Sequence, residues 1–217
     1  MKKTEILQLF NSSGDSERGA QMAAYMRNQF PFLGIGSVRR AELSRPFLLE
    51  LDKSEKIDWV FVYECFNRSE REFAYLAISY ISRLKNNLDP TEISNIEKLA
   101  YIKPWWDTID SIAPLVGFLY LKNPNYVLNF IYKWMDSGNV WLIRMSILFQ
   151  LKYKHNTNIE ILTKAILKNN DTEEFFIDKA IGWALRQYAR TNALWVREFV
   201  EVNRISKLSK REALKWI

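Results

Sequence analysis

Four short segments recur along this chain at offsets of 36, 36 and 35 residues: Glu72-Phe73-Ala74, Thr108-Ile109-Asp110, Arg144-Met145-Ser146 and Lys179-Ala180-Ile181. Each falls near the start of a stretch with helical hydrophobic periodicity, and a period of that size suits stacked pairs of helices. A lone pair cannot bury its apolar face, so such units stack on one another around a continuous core. The rest of the chain agrees. Only 7 Gly and 6 Pro interrupt 217 residues, too few for strands joined by many tight turns. Capping chemistry marks the helix starts: Asp89-Pro90-Thr91-Glu92 reads as a capping box with proline at the first helical position, and Ser69-Glu70-Arg71-Glu72 and Ser209-Lys210-Arg211-Glu212 fit the same box. Asn123-Pro124, Ser137-Gly138-Asn139 and Asn169-Asn170-Asp171-Thr172 supply further breaks. The segments between them predict helices of about ten to sixteen residues. An opening helix is expected from about Lys2 to Phe10 and a second from about Ser16 to Met26, ending at Phe30-Pro31-Phe32-Leu33-Gly34-Ile35-Gly36.

Composition removes several classes of chemistry. Cys65 and His155 are the only residues of their kinds, which excludes an intrachain disulfide and leaves a zinc site or a histidine-based triad without partners. They read as a packed thiol and a surface imidazole. No run nears the roughly 18 apolar residues of a membrane span, and no signal-like apolar stretch follows Met1-Lys2-Lys3. A cytoplasmic protein with no membrane contact is expected. The net charge of +6 is unevenly placed: residues 1–100 carry 14 Lys/Arg against 14 Asp/Glu, and residues 101–217 carry 17 against 11. A basic second half suggests a polyanion, whether nucleic acid, an acidic membrane or an acidic protein.

Two helices in that half hold candidate functional residues. In Lys103-Pro104-Trp105-Trp106-Asp107-Thr108-Ile109-Asp110, a helical wheel puts Trp105 on one arc with Ile109, Ile112 and Val116. Trp105 is therefore expected in the core. Trp106 and Asp110, four residues apart, share a different face, and an indole beside a carboxylate suits a cationic planar group. Asp107 lies elsewhere and is not favoured. Further along, Ile177, Ile181, Ala184, Leu185 and Tyr188 form an apolar arc, while Lys179, Trp183, Arg186 and Arg190 cluster opposite. That is the pattern of a phosphate-lined groove with an aromatic contact, unless a neighbouring helix covers the indole. Near the N-terminus, Arg39-Arg40 follows an apolar loop and either clamps a phosphate or simply opens the next helix.

With these residues assembled, the chain resembles the DNA alkylation repair (AlkD-like) family of HEAT-repeat DNA glycosylases over nearly its whole length. The residues that carry the likeness include Ala24-Tyr25-Met26 with Phe30-Pro31-Phe32-Leu33-Gly34-Ile35, then Arg71-Glu72-Phe73, and Trp105-Trp106-Asp107-Thr108-Ile109-Asp110. Trp141-Leu142 with Arg144, Lys179-Ala180-Ile181-Gly182-Trp183 with Leu185-Arg186, and Ser209-Lys210-Arg211-Glu212-Ala213 continue it. The resemblance implies a single all-α domain over residues 1–217, a right-handed α-solenoid of HEAT-like helical repeats with a concave basic face. It implies hydrolysis of the N-glycosidic bond of cationic N3- or N7-alkylated purines in double-stranded DNA, initiating base excision repair without cofactor or metal. On that pattern Asp110 is the catalytic carboxylate, Trp106 and Trp183 are aromatic contacts to the lesion, and Arg144 and Arg186 hold backbone phosphates. Tyr25 belongs to the N-terminal DNA contact, with Lys179, Arg190, Arg39 and Arg40 as further DNA-binding residues. A monomer is expected. The alternative reading is a non-catalytic HEAT-repeat binder of damaged or branched DNA.

Overall fold

Helices account for all the extended regular structure. The computed structural model describes residues 1–217 and contains thirteen α-helices and no strand, with 70% of the residues helical. The all-α expectation holds. Contacts gather into two compact units, Met1–Leu88 and Asp89–Ile217.

The first unit contains α1 (Lys3–Ser12), α2 (Ser16–Tyr25), α3 (Ser37–Glu50), α4 (Trp59–Asn67) and α5 (Arg71–Leu84). Its core is aromatic: Phe61 meets Tyr80 edge-on at 5.2 Å between centroids, Phe47 packs on both, and Phe10 lies 5.9 Å from Phe73. Glu72 does not serve the capping box expected with Ser69. The N-cap of α5 is Glu70, and Glu72, fully buried, turns away from its own helix. Its carboxylate accepts from the backbone N–H groups of Leu33 (2.9 Å), Gly34 (2.9 Å) and Ile35 (3.0 Å). A buried carboxylate needs such donors, and these three N–H groups need an acceptor, so the pairing fixes the loop that leads into α3. Gly34 completes the turn with φ +92°; a Cβ there would sit 1.9 Å from the Asp15 carbonyl oxygen.

The second unit runs through α6 (Ile93–Leu99), α7 (Trp106–Lys122), α8 (Pro124–Met135), α9 (Val140–Leu148), α10 (Ile159–Leu167), α11 (Phe175–Ala189), α12 (Ala193–Val202) and α13 (Lys207–Ala213). Helix α7 packs on α9, α9 on α11 and α11 on α13, while α6, α8, α10 and α12 back this row. The expected cap at Asp89 is present, and at the expected breaks Asn123 and Asn139 are N-caps as well, each side-chain oxygen accepting from backbone N–H groups of the following turn. The period seen in the sequence is written into the backbone as well. Left-handed residues at Lys103 (φ 45°), Gly138 (φ 66°) and Glu173 (φ 55°) lie 35 residues apart, each just before α7, α9 or α11. One turn device thus sets three successive helix entries.

Two expectations about element ends fail for local reasons. Helix α7, 17 residues long and passing through Pro114, exceeds the predicted range, and α6 and α13, seven residues each, fall short of it. Helix α13 starts at Lys207, with Ser206 as its N-cap accepting from Ser209 N, so Ser209 lies inside the helix and caps nothing. Fully buried, it donates instead to the Asp178 carbonyl oxygen at 3.0 Å.

Candidate active site

The site begins one residue later than the helical wheel assumed. Lys103 in the left-handed region, followed by Pro104, delivers Trp105 in an extended conformation (φ −156°, ψ 164°), and α7 starts at Trp106. Trp105 is therefore the N-cap, outside the helix, and does not join Ile109, Ile112 and Val116, which are fully buried. Its half-buried indole packs instead against Phe176 (4.9 Å) and Trp141 (5.6 Å), whose own rings lie 5.0 Å apart. The indole N–H of Trp105 is buried without an acceptor. Trp106 and Asp110 both lie within the first turns of α7, so their i,i+4 relation places them on one face as expected; both are half-buried. Asp107 is buried. Pro114 has no N–H to offer the Asp110 carbonyl one turn back, so this residue's backbone acceptor lacks its helical donor.

Arg144 holds Asp110 in a two-pronged grip. From α9, its Nε donates to Asp110 Oδ1 at 2.7 Å and its Nη2 to Oδ2 at 2.8 Å, while Nη1 donates to the Phe176 carbonyl oxygen at 2.5 Å. Arg144 is only 5% exposed. The residue expected to reach a backbone phosphate is thus turned inward in the resting protein, with all three guanidinium nitrogens engaged. A fork of this kind fixes the carboxylate plane as well as its position. It also ties α7 through α9 to the first turn of α11, joining the elements that carry Trp106 and Trp183. Burial pushes the Asp110 carboxyl above its ordinary range, and the nearby Asp107 adds to this; the Arg144 guanidinium pulls the other way without cancelling it.

Helix α11 presents its two faces as the wheel predicted. Ile177, Ile181, Ala184, Leu185 and Tyr188 are buried, and Trp183 is half-buried on the other side. The cations around it are less free than expected. Lys179 and Arg186 both pair with Glu212 of α13, at 3.0 and 2.7 Å, and these cations hold the Glu212 carboxyl below its ordinary value. Arg190 is exposed and pairs with no carboxylate. Helix α13 reaches α11 over Gly182, where a Cβ would meet Glu212 Cβ at 2.5 Å and the Ser209 carbonyl oxygen at 3.0 Å. Glu212, Trp141 and Phe176 border these residues, a role that the sequence reading did not give them. A usable signal for Glu212 was its isolation, a single acid among Lys207, Lys210, Arg211 and Lys215.

In the first unit, Tyr25 ends α2 and is 73% exposed. Arg39 pairs with Glu42 at 3.3 Å, and the Arg40 guanidinium lies 4.4 Å from the Tyr75 ring centroid. Arg40 also lines a cavity of about 350 Å³ with Arg45, Arg83 and Ser37. Neither unit gathers three or more His, Cys, Asp or Glu side chains able to hold a metal ion. No helix is long and apolar enough to cross a membrane.

A family model described as DNA alkylation repair enzyme matches residues 6–217. Among solved structures, one from Enterococcus faecalis titled "Predicted DNA alkylation repair enzyme" is 32% identical in sequence. The match covers 94% of this chain and 96% of that one, with a TM-score of 0.86. No curated protein matches.

Proposed function

Because the chain belongs to the family of DNA alkylation repair enzymes, we propose that it is a monofunctional DNA glycosylase acting on cationic N3- or N7-alkylated purines in duplex DNA. The observation that carries this reading is the Asp110–Arg144 fork: a carboxylate locked in orientation one helical turn from Trp106. A purine alkylated at N3 or N7 already bears positive charge and leaves as a neutral base, so cleavage of its bond to C1′ needs no general acid. What it needs is an anion beside the sugar as positive charge develops there, and a water held for attack on C1′. Asp110 does both, stabilising the oxocarbenium-like sugar and accepting the proton of the attacking water as the new C1′–O bond forms. Arg144 is a positioning residue, since it acts through Asp110.

Trp106 and Trp183 offer π faces to the cationic nucleotide, worth about 0.5–2 kcal/mol each where desolvated. Arg186, Lys179 and Arg190 on α11, with Tyr25, Arg39 and Arg40 in the first unit, are the proposed contacts to the DNA backbone. One observation favours a second reading, a non-catalytic binder of damaged or branched DNA: both Asp110 oxygens are already occupied by Arg144, as in a purely structural ion pair. Incubating the purified protein with methylated duplex DNA separates the two. Time-dependent release of N7-methylguanine supports the glycosylase, and binding without release supports the binder.

A further inference from the structure

A second site lies at the far ends of α9 and α11, away from the Asp110–Arg144 fork. Where α9 ends and the chain passes through the short 3₁₀ turn Lys154–Asn156, a cavity of about 250 Å³ opens against the last turn of α11. Its floor is apolar, made by Leu151, Leu162 and Ala184 with the ring of Tyr188. Tyr188 is held edge-on by Trp195, with centroids 5.4 Å apart. The rim carries Lys154, His155 and Arg190, and no Asp or Glu lines the cavity. All three are exposed, and none is in an ion pair.

This contrasts with the neighbouring face of the same helix, where Glu212 neutralises both Lys179 and Arg186. The cavity-lining residues Ala184, Gln187 and Tyr188 form their own stripe on α11, continued beyond its end by Thr191, about a third of a turn from the Trp183 stripe. The α11 macrodipole leaves roughly half a negative charge at its last carbonyls, which offsets only part of the rim's positive charge. The remainder favours an anion. A phosphate fits the cationic rim, and the apolar floor with its fixed phenol ring asks for a flat or apolar group attached to that phosphate. The volume lies just below the range of roughly 300–1,000 Å³ usual for small-molecule sites, which suits a ligand no larger than a mononucleotide with its phosphate at the open rim.

We infer that this cavity binds a single nucleotide bearing a terminal phosphate, with the phosphate on Lys154, His155 and Arg190 and the base against Tyr188. The nucleotide is either free or the 5′-terminal residue of a DNA strand. This site does not depend on the glycosylase reading.

Backbone amide shifts of the full chain titrated with dAMP test the inference. Shifts confined to residues 150–157 and 187–191, saturating with an affinity at least tenfold above that for inorganic phosphate or for deoxyadenosine, support it. The double variant Lys154→Gln, His155→Gln, altering two exposed side chains, is expected to weaken dAMP at least tenfold. A short duplex with 5′-phosphate that displaces dAMP, where its 5′-hydroxyl counterpart does not, assigns the site to DNA ends; absence of displacement assigns it to free nucleotides. Shifts scattered elsewhere, affinity for inorganic phosphate equal to that for dAMP, or unaltered dAMP binding by the folded double variant overturns the inference.

Discussion

At the scale of single residues, Asp110 is the place where function and stability pull against each other. Burial holds its carboxyl above the ordinary value of 3.8, so the folded protein binds this proton more tightly than the unfolded chain does. Stability therefore falls as pH rises from the ordinary value through the raised one, because ionising Asp110 in place costs free energy. On the proposed glycosylase reading, activity is expected to run the opposite way across the same interval, since only the ionised form stabilises positive charge at C1′. The pH profile of base release is expected to show an acid limb with its inflection above 3.8, and Arg144→Gln, by removing the counterpull, is expected to move that limb to higher pH. Single-turnover release measured between about pH 4 and 8 checks both. An inflection that stayed put in the variant would detach Arg144 from the chemistry. Asp110 and Trp106 were legible as a pair because an i,i+4 relation survives any uncertainty in where the helix begins. Trp105 was not, because its side chain is aimed by the left-handed Lys103 and by Pro104, which place it one residue outside the helix.

At the scale of helices, the decisive contact is α13 on α11. The absent side chain of Gly182 lets the two approach, and Glu212 then reaches Lys179 and Arg186 together. Gly182→Ala puts a methyl group into this contact and is expected to destabilise the protein by about 1–3 kcal/mol, read from denaturant or thermal unfolding. An unchanged midpoint would show that α13 is free to shift. Glu212→Gln is expected to act differently. Releasing two cations from one carboxylate should tighten DNA binding at low salt and steepen its salt dependence, by up to about two further counterions. Equal slopes for variant and parent, measured by fluorescence anisotropy over a range of salt, would mean that Lys179 and Arg186 do not face the DNA. Sequence rules found the cap at Asp89 and the breaks at Asn123 and Asn139, where the capping partners lie within one turn. The same rules misplaced Glu72 and Glu212. Both carboxylates satisfy a local pattern, yet their actual partners are the loop Leu33–Ile35 in one case and the cations of α11 in the other. A motif read in one dimension cannot report such tertiary competition.

At the scale of the molecule, repeat, charge and family agree. The period of about 36 residues was readable because each repeat must solve the same packing problem, and it returns as the left-handed turns before α7, α9 and α11. The family match spans both compact units. On the proposed reading, affinity for DNA is distributed over many exposed cations on a chain of net charge +6, whereas excision is assigned to one carboxylate. These two quantities can be separated by a substitution that removes a charge and keeps the shape. Asp110→Asn leaves an acceptor for Arg144, so the fork between α7 and α9 loses strength without losing both hydrogen bonds. The most direct test compares this variant with the parent for affinity and for single-turnover release of N7-methylguanine from the same methylated duplex. Release reduced by at least about 10²-fold with affinity unchanged within a few-fold is the predicted result; release at the parental rate would contradict the assignment of Asp110 as the catalytic carboxylate.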